Sequence, residues 1–251
     1  MTFEEFFEEW RNATPYIMAH TSGSTGEPKD ILLTKEFVRR SALRTNRFFG
    51  IDKGSRLHSC VAADYIGGKM MAVRSDIASC MFTHETPSNR PLAGIVKSEE
   101  ITLLAVVPSQ MIHILDNIRE MPLIRNMLIG GAAIPFELRR RIASSGLNAY
   151  ESYGMTETAS HIALRKVEEE EGWFVPLEGI RVSTDSRGCL VIDFEQGKHF
   201  TTNDMAALEG EGFKITGRYD NVIVTGGKKV SPEAVERKIS HLFRGDIMIG
   251  S

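Results

Sequence analysis

The sequence predicts an α/β fold: a parallel, helix-covered sheet followed by an antiparallel, barrel-like subdomain. Three observations carry this. Short, wholly apolar runs such as Thr102–Val107 and Met127–Ile129 have the composition of strands buried on both faces. Helical stretches alternate with such runs up to Glu151. Beyond that point short strands are joined by turns such as Asp185-Ser186-Arg187-Gly188, and the periodicity becomes that of hairpins.

The bulk properties narrow the class. A chain of 251 residues, 42% hydrophobic and 25% charged, can bury a real core. The net charge of −3, with no basic stretch, excludes nucleic acid as an expected partner. No apolar run reaches the roughly 18 residues needed to span a bilayer, so no membrane partner is expected. The acidic, aromatic start, Met1 to Trp10, lacks the basic head and apolar middle of a signal peptide. Cys60, Cys80 and Cys189 are odd in number and far apart, which reads as buried thiols in a reducing compartment, the cytoplasm by default, and not as a disulfide frame or a metal site. No internal repeat is visible.

In order along the chain, Phe3, Phe6, Phe7 and Trp10 recur at helical spacing on a short acidic helix. The apolar runs Tyr16–Ala19 and Ile31–Leu33 read as strands around a loop of hydroxyls and glycines. Thr34 is a plausible N-cap of a helix to Phe49, stopped by Gly50, with Arg39, Arg40, Arg44 and Arg47 on a solvated face from which one arginine could reach an anion. Arg56–Val61 reads as a strand, Ala62–Gly68 as a turn, Lys69–Ile77 as a helix and Ala78–Thr83 as a strand. A Pro-containing loop covers Thr86–Gly94. Pro108 ends the Thr102–Val107 strand, and a helix covers Ser109–Ile118. Met127–Ile129 ends in Gly130-Gly131-Ala132-Ala133; Pro135 opens a helix that Gly146 ends, and Leu147–Glu151 is a strand. Val167–Glu171 is a solvated charge run. Glu178–Thr184 and Cys189–Phe194 form a hairpin, Phe213–Thr216 and Asn221–Thr225 are short strands, and Ser231-Pro232-Glu233 opens a helix to Leu242.

Open α/β sheets bind ligands beyond the carboxyl ends of their strands, so the loops there carry the chemistry. In the Thr21–Lys29 loop, Gly23 and Gly26 let backbone N–H groups approach an anion. Thr21, Ser22, Ser24 and Thr25 add donors and Lys29 a point charge. The spacing is not that of a P-loop, because Glu27 and Pro28 separate Lys29 from the second glycine. Read alone, the loop is a phosphate cradle or a connector. In Glu151–Thr158, Tyr153 can stack on a base, Thr156 can donate to a phosphate and Glu157 is a hard ligand for magnesium; a helix N-terminus is the bland alternative. Asp204 can accept ribose hydroxyls and Arg218 can bridge ribose and phosphate, although each alone reads equally as a turn or surface residue.

Taken together these segments resemble the acyl-adenylate-forming superfamily of acyl- and aryl-CoA ligases, luciferase and peptide-synthetase adenylation domains. The pieces that carry the resemblance are Thr21–Lys29, Gly130-Gly131-Ala132, Tyr153–Glu157, Thr202-Asn203-Asp204 and Gly217-Arg218-Tyr219-Asp220 running into Gly226-Gly227. The resemblance implies a Thr21–Lys29 loop on the β- and γ-phosphates of ATP, and an adenine slot of Gly131, Ala132 and Tyr153. It further implies Thr156 on the α-phosphate, Glu157 on Mg²⁺, Asp204 on the ribose with Arg218 beside it, and a hinge at Asp220. The implied chemistry joins a carboxylate to AMP and then passes the acyl group to the thiol of CoA.

The segment Ala63–Arg74 is similar to the acid-pocket helix of o-succinylbenzoate–CoA ligases of menaquinone synthesis. That likeness implies Tyr65, Lys69, Arg74, Ser109 and His161 as substrate-binding residues, with Lys69 or Arg74 pairing with a second, unreactive carboxylate. Gln110 is a further pocket candidate. Many members carry histidine where this chain has Tyr65. The expected organisation is a large domain over residues 1–219, with an α/β region over 1–165 and a β region over 166–219. A hinge and the start of a C-terminal domain follow over 220–251. That domain normally brings a catalytic lysine, so this chain alone is expected to bind ATP or acyl-AMP with impaired turnover. A ligase for another acid, a carrier-loading enzyme or a non-catalytic nucleotide-binding module are the alternatives; a kinase-like phosphotransferase is disfavoured by the loop spacing.

Overall fold

In the computed structural model, residues 1–21, 29–195, 197–225 and 228–239 are described. The chain divides into two compact units, Met1–Glu171 and Gly172–Ser251.

In the first unit the strands lie in the order Ser160–Lys166, Ala149–Met155, Met127–Ile129, Leu103–Val106, Arg56–Ser59, Met81–His84. All neighbours are parallel except the first pair, which forms an antiparallel hairpin. The sheet is therefore mixed, whereas alternation along the sequence predicts parallel strands only. Chain direction reverses around Arg56–Ser59: the chain moves outward to Met81–His84, then returns past it to Leu103–Val106. That reversal makes a topological switch point beside the carboxyl end of Arg56–Ser59.

Two helical layers bury the sheet. Leu104 and Val106 point into a cluster with Met111 and Ile114 of the Pro108–Asp116 helix and Leu138 and Ile142 of the Phe136–Ser144 helix. Leu103 and Ala105, one residue out of phase, take the opposite face, as strand geometry requires. The helices Lys35–Phe49 and Ile66–Ala78 pack on each other and on the sheet. The N-terminal helix Phe3–Arg11 closes its first turn with a Thr2–Glu5 capping box. It buries Phe3, Phe6 and Trp10, and the Trp10 indole donates to Asp76 at 2.9 Å.

Local chemistry corrects several boundaries. The Ile66–Ala78 helix starts ahead of the expected Lys69, because Gly68 tolerates a backbone approach no other residue would: a Cβ there would lie 2.1 Å from the Ala62 carbonyl oxygen. That helix runs through Ala78 and stops at Ser79 in the left-handed region, so the next strand begins only at Met81. Arg44 is buried, not on a solvated face with Arg39 and Arg47, because the Lys35–Phe49 helix is covered on that side. Of the thiols, Cys60 and Cys189 are buried and Cys80 is partly exposed.

The second unit is an antiparallel meander of Ile180–Thr184, Cys189–Phe194, His199–Glu209 and Gly212–Arg218. The Asp185 turn joins the first two strands as its composition predicts: the Asp185 side chain accepts from the Arg187 and Cys189 amides. The eleven-residue strand His199–Glu209 runs through Thr202-Asn203-Asp204, which reads as a turn from sequence. A short helical turn, Tyr219–Asn221, follows Gly212–Arg218, so the next strand is Ile223–Thr225. The last described helix is Pro232–Ile239.

Candidate nucleotide and acid site

The candidate site residues of the first unit lie at the stem of the glycine loop, near the carboxyl ends of sheet strands, on the hairpin of Ala149–Met155 and Ser160–Lys166 and on the Ile66–Ala78 helix. Tyr16–His20 and Asp30–Thr34 pair antiparallel as the stem of the glycine loop. Residues Ser22 to Pro28, including Gly23, Ser24, Thr25 and Gly26, lie outside the described residues. The loop base is double-clasped: the Thr21 amide donates to the Lys29 carbonyl at 3.0 Å, and the Lys29 amide donates to the Thr21 hydroxyl at 2.9 Å. His20 and Asp30 close the pair beneath at 2.6 Å. Lys29 is exposed.

The Glu151–Thr158 segment is not the loop its composition suggests. Strand Ala149–Met155 continues through Tyr153 and Gly154, because Ser160–Lys166 folds back on it and satisfies its backbone. Gly154 opposes His161 so closely that a Cβ would sit 2.3 Å from the Ser160 oxygen. A 3₁₀ turn, Thr156–Thr158, joins the two strands, and Ala159 and Ser160 take positive φ to complete it. From this turn the Thr156 hydroxyl donates to the His20 carbonyl at 3.3 Å, joining residues 136 positions apart. The turn is thereby fixed against the base of the glycine loop. Glu157 is half-exposed and makes no hydrogen bond or ion pair among the described residues, so its oxygens fit a hard cation such as magnesium.

Gly131 and Ala132 are exposed at the end of Met127–Ile129, with Gly131 at φ +87°. Glu151 steadies this turn from behind. It accepts from the Ile134 amide at 3.4 Å and from Arg165 at 2.9 Å, and it pairs with Arg139.

The expected acid-pocket residues divide. Arg74 is fully buried and meets His161: its guanidinium donates to His161 Nδ1 at 3.4 Å and touches the Met71 sulfur at 3.6 Å. No carboxylate pairs with it among the described residues, and its Nε has no hydrogen-bond partner. Burial pulls its pKa down to about 9. His161 is buried too, its Nε2 against the Thr45 hydroxyl at 2.9 Å. Burial first, and the Arg74 charge second, hold it well below its ordinary value of 6.5. Sequence reasoning misses Thr45, whose one signal is its place on a helix.

Lys69 turns away from this pair. It is buried beneath the N-terminal helix, 3.8 Å from Glu9, over the Phe6 ring at 4.7 Å and 2.9 Å from the Met1 sulfur. The five-residue spacing that places it on a different side from Arg74 is thus realised, but its partner is Glu9. Tyr65 is exposed at the N-cap of the Ile66–Ala78 helix, and Ser109 is exposed at the start of Pro108–Asp116. Gln110 is buried as a brace, donating to the Cys60 and Ser88 carbonyls at 3.1 Å each.

In the second unit Asp204 and Arg218 are cross-strand partners, 3.4 Å apart. Asp220 accepts from Arg218 and from Asn203, each at 3.1 Å. Arg187 covers the Tyr219 ring at 5.2 Å. Two carboxylates around one arginine make a preset acceptor group for vicinal hydroxyls.

Residues 5–203 match the AMP-binding enzyme family. The chain belongs to this family. Among its relatives is the 2-succinylbenzoate–CoA ligase of Haemophilus influenzae, 28% identical over 246 residues, covering 90% of this chain and 53% of the relative. The enzyme of the same name from Bacillus subtilis is 26% identical over 258 residues, again covering 90% and 53%. The chain spans about half the length of the curated relatives it matches. An acyl-CoA synthetase (AMP-forming)/AMP-acid ligase II-like protein from Dyadobacter fermentans superposes with a TM-score of 0.77 at 34% identity, covering 95% of this chain and 70% of that one. The o-succinylbenzoate coenzyme A synthetase of B. subtilis, solved with ATP and magnesium, shares the fold at a TM-score of 0.78 and 24% identity, covering 90% and 55%. The antiparallel second unit and the mixed first sheet are thus those of an adenylate-forming enzyme.

Proposed function

We propose that this protein takes part in the ATP- and Mg²⁺-dependent adenylation of an aromatic carboxylic acid, o-succinylbenzoate, followed by transfer of the acyl group to CoA in menaquinone synthesis. The observation that most supports adenylation is the Thr156–His20 hydrogen bond, which ties the tyrosine-strand turn to the clasped base of the glycine loop. In this reading Thr21–Lys29 holds the β- and γ-phosphates, Thr156 meets the α-phosphate and Glu157 holds the magnesium ion. Gly131, Ala132 and Tyr153 border the adenine, Asp204 takes the ribose hydroxyls with Arg218 beside it, and Asp220 is the hinge. The substrate carboxylate attacks the α-phosphorus: a C–O–P linkage forms, the bond to pyrophosphate breaks, and no protein nucleophile is used. The magnesium ion supplies charge neutralisation on the phosphates. In the second half the thiol gives up its proton, its sulfur bonds to the acyl carbon, the acyl C–O bond to the phosphate breaks and AMP leaves. The protein's contribution is position and preorganised charge.

The choice of acid rests on Arg74. An arginine buried beside a histidine, with no acid to balance it among the described residues, is costly unless an anion arrives. A substrate with a second, unreactive carboxylate supplies that anion. Support also comes from the names of the relatives. Lys69, bound to Glu9, is the weaker candidate, and Tyr65 and Ser109 are proposed as pocket-rim residues. The test is a panel of aromatic and aliphatic acids with ATP and magnesium, read as pyrophosphate release and acyl-AMP mass, with CoA added in a second series. We expect nucleotide binding by this chain and acyl-AMP from o-succinylbenzoate ahead of monocarboxylates. Preference for a monocarboxylate would reassign the acid; failure to bind ATP or an acyl-adenylate analogue at millimolar concentration would remove the adenylation reading itself.

A further inference from the structure

At the switch point of the first sheet, and apart from the residues assigned above, three metal-ligating side chains converge. His58 is on strand Arg56–Ser59, Cys60 follows that strand, and Glu85 follows the neighbouring strand Met81–His84. One ligand atom from each lies within 4.8 Å of the others. The backbone fixes all three. The Cys60 amide donates to the Ala105 carbonyl at 3.0 Å, and the Glu85 amide donates to the Ser59 carbonyl at 3.2 Å. Gln110 holds the Cys60 carbonyl.

His58 supplies the observation that points to a ligand. It is 1% exposed, and its Nε2 is buried with no hydrogen-bond partner. The Glu85 carboxylate is 3.8 Å away, too far for a hydrogen bond. The other ring nitrogen, Nδ1, is 2.8 Å from the Thr83 hydroxyl, and that hydroxyl donates to the Leu57 carbonyl at 3.4 Å. The Thr83 oxygen can accept from Nδ1–H while its own hydrogen lies on the Leu57 carbonyl. In that tautomer the Nε2 lone pair faces Cys60 and Glu85. Histidines that bind metal are oriented in this way, through a hydrogen bond from the far nitrogen. Leaving a buried imidazole nitrogen unsatisfied is costly, and a metal ion removes the cost. Glu85 accepts from the Leu92 amide through both oxygens at 3.0 Å and keeps lone pairs for a cation.

We propose that His58 Nε2, Cys60 Sγ and a Glu85 carboxylate oxygen bind one divalent ion of the zinc class. The nitrogen–sulfur–oxygen donor set suits Zn²⁺ or Co²⁺ and disfavours Mg²⁺ and Ca²⁺, which take oxygen ligands. Three protein ligands leave a fourth position for water or a small donor. On binding, the Cys60 S–H bond breaks, the S–metal bond forms and the proton leaves to solvent. The ion would tie together the ends of two adjacent strands.

Cobalt titration of the chelator-treated protein tests this. The expected result is a thiolate-to-cobalt charge-transfer band that saturates at one ion per chain, is displaced by zinc and is unaffected by magnesium. Cys60→Ser abolishes the band, whereas Cys80→Ser and Cys189→Ser keep it. Thr83→Val, which frees the imidazole to turn, weakens cobalt binding by about 10–100-fold. His58→Gln weakens it further; should that variant fail to fold, Thr83→Val and Cys60→Ser decide. A folded wild-type chain with no charge-transfer band, or a band that survives Cys60→Ser, overturns the proposal.

Discussion

Arg74 concentrates the residue-scale argument. Its guanidinium lies in the core against His161 Nδ1 and the Met71 sulfur, and only burial acts on its pKa. A charge retained there without a protein counter-ion costs stability in the empty protein. Arg74→Met, similar in length and apolar, is therefore expected to leave the melting temperature unchanged or to raise it. The same change should weaken binding of the dicarboxylate by about 10–100-fold, the range for a lost charged hydrogen bond of about 1.5–3 kcal/mol. ATP affinity should not move. Calorimetry on the two ligands separates these effects, and a large loss of stability with unchanged acid binding would make Arg74 a purely structural residue. The sequence carries only some of this. The spacing of Lys69 and Arg74 puts them on different sides of one helix, but spacing does not say what covers each side. Glu9, from a helix far along the chain, claims Lys69.

At the scale of elements, the hairpin Ala149–Met155/Ser160–Lys166 does the positioning. Its register opposes Gly154 to His161, then slips at Ile162, an irregularity that lets successive residues His161, Ile162 and Ala163 all be buried. Gly154→Ala would put a methyl group 2.4 Å from the His161 Cα and push the strands apart. The expected cost is about 1–3 kcal/mol, as for other overpacked sites, read as a lower denaturation midpoint. Weaker ATP binding should accompany it, because the Thr156 turn moves with the strand. Glu151 offers a second element-scale test. Among the described residues Arg139 is held on Glu151 alone, whereas Arg165 is shared between Glu151 and Glu171, so Glu151→Gln leaves the buried Arg139 short of its anion. We expect a loss of about 3–5 kcal/mol. Neither the hairpin nor the long His199–Glu209 strand is legible in sequence: Ser160–Lys166 lacks strict alternation because it is buried along most of its length, and Thr202-Asn203-Asp204 carries turn-forming residues inside a strand. The wholly apolar strands Leu103–Val106 and Met127–Ile129, by contrast, stand out because composition alone marks a strand covered on both faces.

For the whole molecule, the clearest prediction concerns acid. His161 is neutral in the folded state and regains its ordinary pKa of 6.5 on unfolding. The unfolded chain therefore binds more protons below that value, and stability falls as the pH drops through it. Each such histidine contributes up to about 1.4 kcal/mol per pH unit. Denaturant midpoints measured from neutral pH downward should show this slope in the native protein and lose it in His161→Gln. An unchanged slope would mean that other groups govern the acid limb. Fold class is legible at this scale because helix–strand alternation and hairpin turns are properties of long stretches. The mixed character of the first sheet is not, since strand direction depends on which partner satisfies an edge.

The hairpin has one more consequence, for how such a protein can change. Tyr153 and Thr156, assigned to the nucleotide, and His161, beside the buried arginine, belong to one folded-back ribbon closed by a turn with Ala159 and Ser160 at positive φ. On the proposed assignments, substitution at His161 or Thr45 would retune the acid and leave the nucleotide contacts in place. Insertion or deletion cannot: moving the register by one residue would invert every side chain on the ribbon and lose both halves of the substrate at once. Divergence of acid preference is thus confined to point replacement here, and libraries built for new acids should randomise identities while keeping the length of the Met155–Ser160 connection fixed.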